Sequence, residues 1–136
     1  MLVKFTKNQQ YILDLLEQLK TEISAQDLHI KLRENDLKIG LATVYRTLKL
    51  LHLEGIIQER INTSGECLYE LIKDSHSHHL NCINCGRSII IREEYCPINQ
   101  NLTNWCLSQN FKLYYHTLEF FGLCENCQNE IESTDL

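Results

Sequence analysis

Residues 76–86 read His-Ser-His-His-Leu-Asn-Cys-Ile-Asn-Cys-Gly, and their histidines and cysteines are a strong signal of metal chemistry. Its Cys82 and Cys85 are two residues apart, and a second pair with the same spacing, Cys124 and Cys127, follows after 38 intervening residues. Two-residue spacing lets both thiolates of a turn face one ion, and a second pair completes a soft, closed tetrahedral site that suits Zn²⁺. We therefore predict a structural zinc on four cysteines, with an α/β element between the two pairs.

Redox chemistry is the alternative for either cysteine pair. Thioredoxin-like Cys-x-x-Cys motifs occur singly at a strand–helix junction, whereas this chain has two matched pairs close together, which favours metal binding. A thiol oxidoreductase would have two reactive thiols in a metal-free protein, whereas four zinc-bound thiolates would react sluggishly with a thiol reagent.

Histidines open the same stretch. Residues two apart on an extended chain face the same side, so His76 and His78 can hold one ion together while His79 points the other way. Two more ligands must come from elsewhere, and we predict Cys96 and His116. These side chains would give an N₃S set that suits a second Zn²⁺. The alternative is a solvated histidine cluster with Cys96 in the core, where free cysteines are often buried.

The local pattern predicts regular structure around both added ligands. Cys96 precedes Pro97, which suits the first position of a helix, and we predict a helix over residues 98–109. His116 lies in residues 112–121, which we predict as a strand. Cys106 follows the apolar pattern of the predicted helix and is expected in the core.

The composition defines the class of protein. The chain has 136 residues, a formal net charge of −5 and 43% hydrophobic residues, which are globular values. No apolar run approaches the roughly 18 residues of a membrane span, and the N-terminus has no apolar signal segment. We therefore expect a soluble, cytoplasmic protein without a membrane partner, in which disulfides rarely persist. No Ser/His/Asp arrangement or phosphate-binding glycine loop is visible, so we predict neither an enzyme nor a small-molecule substrate.

Short amphipathic helices fill the first half of the chain. Ser24 is a predicted N-cap, with Asp27 at the capping-box position. Residues 41–51 continue the helical pattern. The apolar stripe of that last segment is predicted to consist of Leu41, Val44, Leu48 and Leu51.

A hairpin follows these helices. Residues 55–60 and 67–71 read as strands around the turn at residues 62–65. Three helices and a β-hairpin in this order are typical of a winged helix-turn-helix, whose last helix enters the major groove of DNA. We therefore predict an α+β protein that begins with a winged-helix domain.

Charge is divided unevenly along the chain. Residues 1–74 have ten basic and eleven acidic residues, a net −1, and residues 75–136 have three and seven, a net −4. Between Lys38 and Lys49, however, there are three basic residues and no acidic one. Basic side chains attract DNA phosphates within about a Debye length, ~10 Å at 0.1 M salt. A local basic patch can therefore bind DNA even on a chain whose net charge is negative.

The last helix of the predicted winged domain supplies the expected DNA contacts. We expect Tyr45 and Arg46 to contact bases or sugars, since arginine pairs bidentately with guanine. Thr43, Thr47 and Lys49 are expected to hold phosphates. The alternative is a helix pair that never meets DNA, because such pairs occur in many other proteins.

Four segments, taken together and in order, resemble the ferric uptake regulator (Fur) family. They are residues 41–48, 65–70, 78–86 and 122–127. The resemblance implies a homodimeric, metal-dependent bacterial repressor that binds a double-stranded DNA operator. It also implies a winged-helix domain over residues 1–72, a hinge over 73–77 and a C-terminal α/β dimerisation domain over 78–136, which would contain the structural zinc.

Within that family, residues 116–122 and the pair Cys96-Pro97 resemble the zinc uptake regulators (Zur). This resemblance implies control of zinc uptake and homeostasis genes with Zn²⁺ as co-repressor. A thiolate in the sensing site also favours Zn²⁺ over Fe²⁺. An iron- or peroxide-sensing regulator of the same architecture is the alternative.

The chain departs from the family pattern near the hinge. The histidine that often precedes the Ser-Ala helix start is Glu22 here, and the histidine run has Ser77 in its second place. These departures favour the sensing site that uses His76, His78 and His116. If a second regulatory site exists, we would assemble it from His79, Glu70, Cys67 and Glu22.

Overall fold

The computed structural model describes residues 4–72, 78–91 and 96–134. The chain divides into two compact units, residues 1–72 and residues 73–136. The expected hinge over residues 73–77 lies outside the described residues. None of the helices in the described ranges has the length and apolar character that crossing a membrane requires.

The first unit contains three helices and a small antiparallel sheet, as the sequence predicts. Its elements are α1 (Lys7–Gln18), β1 (Ile23–Ser24), α2 (Ala25–Glu34), α3 (Leu41–Leu53), β2 (Ile57–Ile61) and β3 (Cys67–Leu71). The sheet has the strand order β1-β3-β2, and both pairings are antiparallel. The predicted N-cap is confirmed, because the Ser24 hydroxyl accepts the Asp27 N–H at 3.1 Å. The winged-helix arrangement is therefore confirmed.

The core of this unit lies between the helices and the sheet. The side of α3 that enters the core consists of Val44, Thr47, Leu48 and Leu51, which follow the spacing i, i+3, i+4, i+7. Leu41, which we predicted in this stripe, is exposed. Thr47 takes its place because it lies one helical turn before Leu51 and three residues after Val44. Apolar side chains of α1, α2 and the sheet, among them Ile12, Leu28 and Ile57, join them in the cluster.

The wing is a hairpin between β2 and β3. Its turn is closed by the Asn62 side chain, whose oxygen accepts the N–H of Ser64 at 3.0 Å and that of Glu66 at 2.9 Å. Gly65 has a φ of +82°, a conformation that glycine adopts without steric cost. Local turn chemistry therefore defines the register of the wing.

The second unit contains a mixed three-stranded sheet and two helices. Its elements are β4 (His78–Cys82), β5 (Ser88–Ile91), α4 (Gln100–Ser108), β6 (Glu119–Gly122) and α5 (Glu125–Thr134). The strand order is β5-β4-β6, with β4 antiparallel to β5 and parallel to β6. Parallel neighbours end at the same edge of a sheet, so the chain leaves β4 and β6 side by side. This confirms the predicted α/β element between the two cysteine pairs.

Two predicted elements of this unit have the wrong bounds. Helix α4 begins after Asn99 and not at Pro97, because the Asn99 side chain accepts the N–H of Leu102 at 3.2 Å and so caps the helix. Strand β6 is shorter than the predicted run of residues 112–121, because its partner β4 offers only five residues for pairing. Cys106 is half-buried in α4 and not a core residue of this subunit.

Helix α3 gives a direct test of this packing. Leu48→Ala is expected to lower the free energy of unfolding by about 2–5 kcal/mol, because it leaves a cavity, and Leu48 is only 1% exposed. Leu53→Ala lies on the same helix but is 64% exposed, and it should stay within about 0.5 kcal/mol of the wild type. Urea unfolding of the full chain, followed by circular dichroism, measures both. Equal losses in the two variants would contradict this core.

Candidate metal centres and nucleic-acid interface

The structure brings the four paired cysteines together at one edge of the second sheet. The Sγ atoms of Cys82, Cys85, Cys124 and Cys127 all lie within 4.8 Å of one another. Zn–S bonds of about 2.3 Å in a tetrahedron place sulfur atoms about 3.8 Å apart, and Cys85 Sγ lies 3.8 Å from Cys124 Sγ. The spacing of the donors therefore matches a tetrahedral thiolate site.

Strand pairing positions these cysteines. Cys82 is the last residue of β4 and pairs with Gly122, the last residue of β6, so both following turns begin at the same edge. The Ile83 N–H donates to the Gly122 carbonyl at 2.8 Å and extends this pairing into the first turn. Cys124 directly precedes α5, so the positive end of that helix dipole faces the thiolates.

Hydrogen bonds and mutual repulsion separate the acidities of two of the thiols. Backbone N–H groups of Cys85 and Cys124 lower the pKa of Cys82 to about 6. The Asn84 amide, 3.4 Å from Cys127 Sγ, lowers the pKa of Cys127, but the neighbouring sulfurs and burial outweigh it and raise the value to about 12. Cys127 thus keeps its proton at neutral pH. A divalent cation is the group that lets all four ionise together.

A second cluster combines sulfur and imidazole. Cys96 Sγ lies 3.3 Å from His78 Nε2 and 3.5 Å from His116 Nε2, and the two imidazole rings stack with their centroids 4.9 Å apart. Bond lengths of about 2.3 Å to sulfur and 2.0 Å to nitrogen predict a separation of about 3.5 Å in a tetrahedron. The three donors therefore suit one Zn²⁺ and leave a fourth position for another ligand.

The origins of these three ligands differ from what the sequence suggested. His78 is fully buried in β4, whereas Cys96 and His116 lie in irregular segments before α4 and before β6. His116 is therefore not a strand residue, in contrast to the prediction. The fourth predicted ligand, His76, lies outside the described residues.

His79 points to the other face of β4, as the alternation of a strand requires. Its Nδ1 lies 3.2 Å from Glu119 Oε2, and Asn81 Nδ2 donates to Glu119 Oε1 at 3.3 Å. Sequence reasoning missed Glu119, because its contact with His79 depends on the parallel register of β4 with β6. The only sequence signal was its place three residues after His116, in a segment already marked by resemblance.

The remaining residues of the possible second regulatory site have protein partners. Both carboxylate oxygens of Glu22 accept from the Arg60 guanidinium, at distances of 2.8–3.1 Å, and this pair ties the wing to the segment before α2. Gln58 donates to Glu70 at 2.9 Å. Burial raises the pKa of Cys67 despite its hydrogen bond with Tyr69, so its thiolate is disfavoured.

The outer face of α3 is the candidate DNA surface. Tyr45, Arg46 and Lys49 are exposed, and Thr43 is half-buried beside them. Arg46 Nη2 donates to the Thr43 hydroxyl at 3.4 Å, a weak contact that leaves the guanidinium at the surface. Thr47 is only 1% exposed. The expectation that Thr47 holds a phosphate is therefore corrected, because its side chain belongs to the core face.

Comparisons with known proteins agree with this fold. The model of the Ferric uptake regulator family matches residues 1–121. The ferric uptake regulation protein of Neisseria gonorrhoeae is 34% identical over 128 residues, which cover 93% of this chain and 87% of that protein. The zinc uptake regulation protein of Mycobacterium tuberculosis (strain CDC 1551 / Oshkosh) is 34% identical over 127 residues, which cover 93% of this chain and 96% of that protein.

A solved structure gives the same result in three dimensions. The crystal structure of the Vibrio cholerae ferric uptake regulator superposes with a TM-score of 0.63 at 33% sequence identity, over 90% of this chain and 92% of that chain. Relatives named for iron and for zinc are thus equally similar to this sequence. Overall similarity therefore does not decide which metal this chain binds.

The four-cysteine cluster is tested by removing one sulfur. Cys85→Ser is expected to lose about one bound zinc per chain, because a hydroxyl is a poor ligand for a soft, closed site. Cys106→Ser is the matched control, since Cys106 belongs to neither described cluster. Atomic emission of the dialysed proteins measures the zinc content. Equal zinc content in wild type and Cys85→Ser would contradict the four-thiolate site.

Proposed function

This chain belongs to the ferric uptake regulator family, and we propose that it is a zinc-responsive repressor of zinc uptake and homeostasis genes with Zn²⁺ as co-repressor. The family consists of metal-responsive transcriptional regulators that bind DNA operators as dimers, and it is not a family of enzymes. The observation that carries the zinc assignment is the Cys96 thiol between the two imidazoles, 3.3 and 3.5 Å from their Nε2 atoms.

The donor chemistry supports zinc over iron in the sensing site. A thiolate with imidazoles is a borderline-soft set in tetrahedral array, which suits Zn²⁺, whereas non-haem Fe²⁺ sites are rich in histidine and carboxylate. Glu119 is a carboxylate in the same unit, but its oxygens contact His79 and Asn81 on β4.

The two clusters have different roles in this proposal. The four cysteines hold a structural zinc that stabilises the second unit, because closed thiolate sites bind tightly and their binding energy adds to folding energy. His78, Cys96 and His116, with His76 as the fourth ligand, form the sensing site. His76 belongs to the segment 73–77 that joins the two units, so a ligand there would tie the linker to the sensing site.

Regulation then follows from linkage. A cation shifts a conformational equilibrium only by its differential affinity for the two states. Residues 73–77 connect the winged unit to the dimerisation unit, and an ordered linker would present both recognition helices of a homodimer to successive major-groove faces of a palindromic operator. At low free zinc the sensing site empties, the linker loosens and the genes are released.

A second regulatory cation on His79, Glu70, Cys67 and Glu22 would compete with protein groups that already contact these side chains. It would have to replace the Arg60 guanidinium at Glu22, the Gln58 amide at Glu70 and the contact between Glu119 and His79. We therefore expect any such site to bind more weakly than the sensing site.

DNA binding uses the exposed face of α3. Tyr45 and Arg46 contact bases or sugars, and Thr43 and Lys49 hold phosphates. The absence of acidic side chains between Lys38 and Lys49 supports this assignment, because no carboxylate there repels the DNA backbone.

Arg46→Ala is expected to weaken DNA binding by about 1–3 kcal/mol and to relax the sequence preference at one base position, because it removes a bidentate base contact. Lys112→Ala is the control, since it removes one positive charge from the second unit. Fluorescence anisotropy with a duplex selected by the wild-type protein, at fixed salt and buffered Zn²⁺, measures both. Equal weakening in the two variants would show that only net charge matters.

Zinc specificity is tested by titrating the same duplex complex with buffered Zn²⁺ and, separately, with Fe²⁺ under anaerobic conditions. We expect Zn²⁺ to activate binding, and Cys96→Ser to need at least about tenfold more free Zn²⁺, because the soft ligand is lost. Cys106→Ser serves as control. Selective activation by Fe²⁺ would reject the zinc assignment, and tight binding with the sensing site empty would reject the co-repressor mechanism.

A further inference from the structure

An asparagine occupies the same place in each of the two cysteine pairs. The first pair reads Cys-Ile-Asn-Cys over residues 82–85, and the second reads Cys-Glu-Asn-Cys over residues 124–127. Asn84 Nδ2 donates to Cys127 Sγ at 3.4 Å, a contact from one pair to the other. Asn126 is exposed at the second position of α5, and none of the hydrogen bonds within the described residues joins its side chain to a sulfur. The structure therefore distinguishes two residues that the sequence presents as equivalent.

The turn after β4 holds Asn84 within reach of that sulfur. The Gly86 N–H donates to the Cys82 carbonyl at 3.0 Å, and the Cys82 N–H donates to the Arg87 carbonyl at 2.8 Å. Gly86 has a φ of +81°, which a residue with a side chain rarely adopts. Asn84 lies in the middle of this closed turn, so its backbone is fixed while its side chain crosses to the first turn of α5.

The sulfurs of the site receive two kinds of donor. Cys82 Sγ accepts from the backbone N–H groups of Cys85 and Cys124, which any residue except proline would supply. The donor to Cys127 is a side chain, so it depends on which residue occupies position 84. Cys127 is only 3% exposed, so water has little access to replace that donor. A substitution outside the ligand set can therefore remove this contact.

The bond from Asn84 becomes stronger when the site holds a cation. A thiol and a thiolate both accept from an N–H, so the contact does not depend on the protonation of the sulfur. A hydrogen bond to a charged acceptor is stronger than one to a neutral acceptor. Four thiolates around one divalent cation keep a net negative charge, which N–H donors beyond the ligands offset.

We propose that Asn84 is a positioning residue of the four-cysteine site, whose side-chain N–H holds the Cys127 sulfur and raises the affinity of the site for zinc. This inference rests on the proposed structural zinc. Asn84 supplies no ligand atom and acts through Cys127. Asn126 has no such role, although it occupies the same place in its pair.

Matched alanine variants of the full-length protein test the effect on affinity. Zinc-loaded proteins are equilibrated with a chelator of known zinc affinity, and the zinc that each protein retains is measured. We expect Asn84→Ala to bind zinc about fivefold more weakly, because it loses a hydrogen bond that is stronger to the thiolate than to the thiol. Asn126→Ala is the control and should stay within about twofold of the wild type. Equal affinities in the two variants would overturn the inference.

Aspartate variants separate hydrogen bonding from simple coverage of the sulfur. Asn84→Asp keeps the size of the side chain but replaces the N–H donor with a carboxylate oxygen, which only accepts. We expect its zinc affinity to be at least as low as that of Asn84→Ala. Asn126→Asp adds the same charge beside the same cysteines and is the control. Wild-type affinity in Asn84→Asp, or an equal loss in Asn126→Asp, would contradict the proposal.

A spectrum of the wild-type protein tests the hydrogen bond directly. The protein is prepared with ¹⁵N and with ¹¹³Cd in place of zinc, and the ¹¹³Cd chemical shift reports the number of sulfur ligands. A scalar coupling passes through N–H···S–Cd, so we expect a side-chain NH₂ group to correlate with ¹¹³Cd and this correlation to be lost in Asn84→Asp. Cadmium on four sulfurs without such a correlation would overturn the inference and leave the site intact.

The same spectrum separates the two proposals. Cadmium on fewer than four sulfurs would reject both the four-cysteine site and the role of Asn84. Should the Asn84 variants fail to fold, the presence or absence of the NH₂ correlation in the wild-type protein decides alone.

Discussion

The parallel pairing of β4 with β6 is the constraint on which the second unit depends. It aligns Cys82 with Gly122, so the two cysteine turns begin side by side. The same register carries His79 to Glu119 and the Leu118 N–H to His78. A one-residue slip would move every side chain of β6 to the opposite face and separate these partners. The four-cysteine cluster and the cluster of His78, Cys96 and His116 therefore both depend on this one strand pairing.

Parallel pairing is costly to form because its strands are far apart in the sequence, and closing such a loop costs conformational entropy. Only four residue pairs join β4 and β6, and large apolar side chains of this unit, such as Phe121 and Trp105, are exposed in the single subunit. A cation held by the four thiolates would supply binding energy that the small core does not. The cysteine turns lie where the two strands end, so a bound metal and the strand pairing would stabilise each other.

Spacing within the chain predicted much of this molecule, because turns, caps and helix faces are local. The paired cysteines, the Ser24 cap and the wing all follow from neighbours within a few residues. Contacts that depend on long-range register were not predictable: Glu119 at His79 and Arg60 at Glu22 each join residues 38 or more apart. Thr47 was misjudged for a third reason, since a polar side chain can occupy the core face of a helix whose other members are apolar.

The two clusters also differ in how their ligands are held, and this difference suits their proposed roles. Cys82 and Cys85 flank one turn, and Cys124 and Cys127 span the first turn of α5, so few bonds must be ordered to bring the two sulfurs of each pair together. The sensing ligands come one at a time from a strand and two irregular segments, so more of the chain must be ordered before they surround a cation. An ordering cost of this kind lowers the affinity of the site and ties its occupancy to the conformation of the chain. If the cation binds only when the segments around these ligands are ordered, then cation binding also orders those segments. This follows because the coupling between binding and conformation is reciprocal.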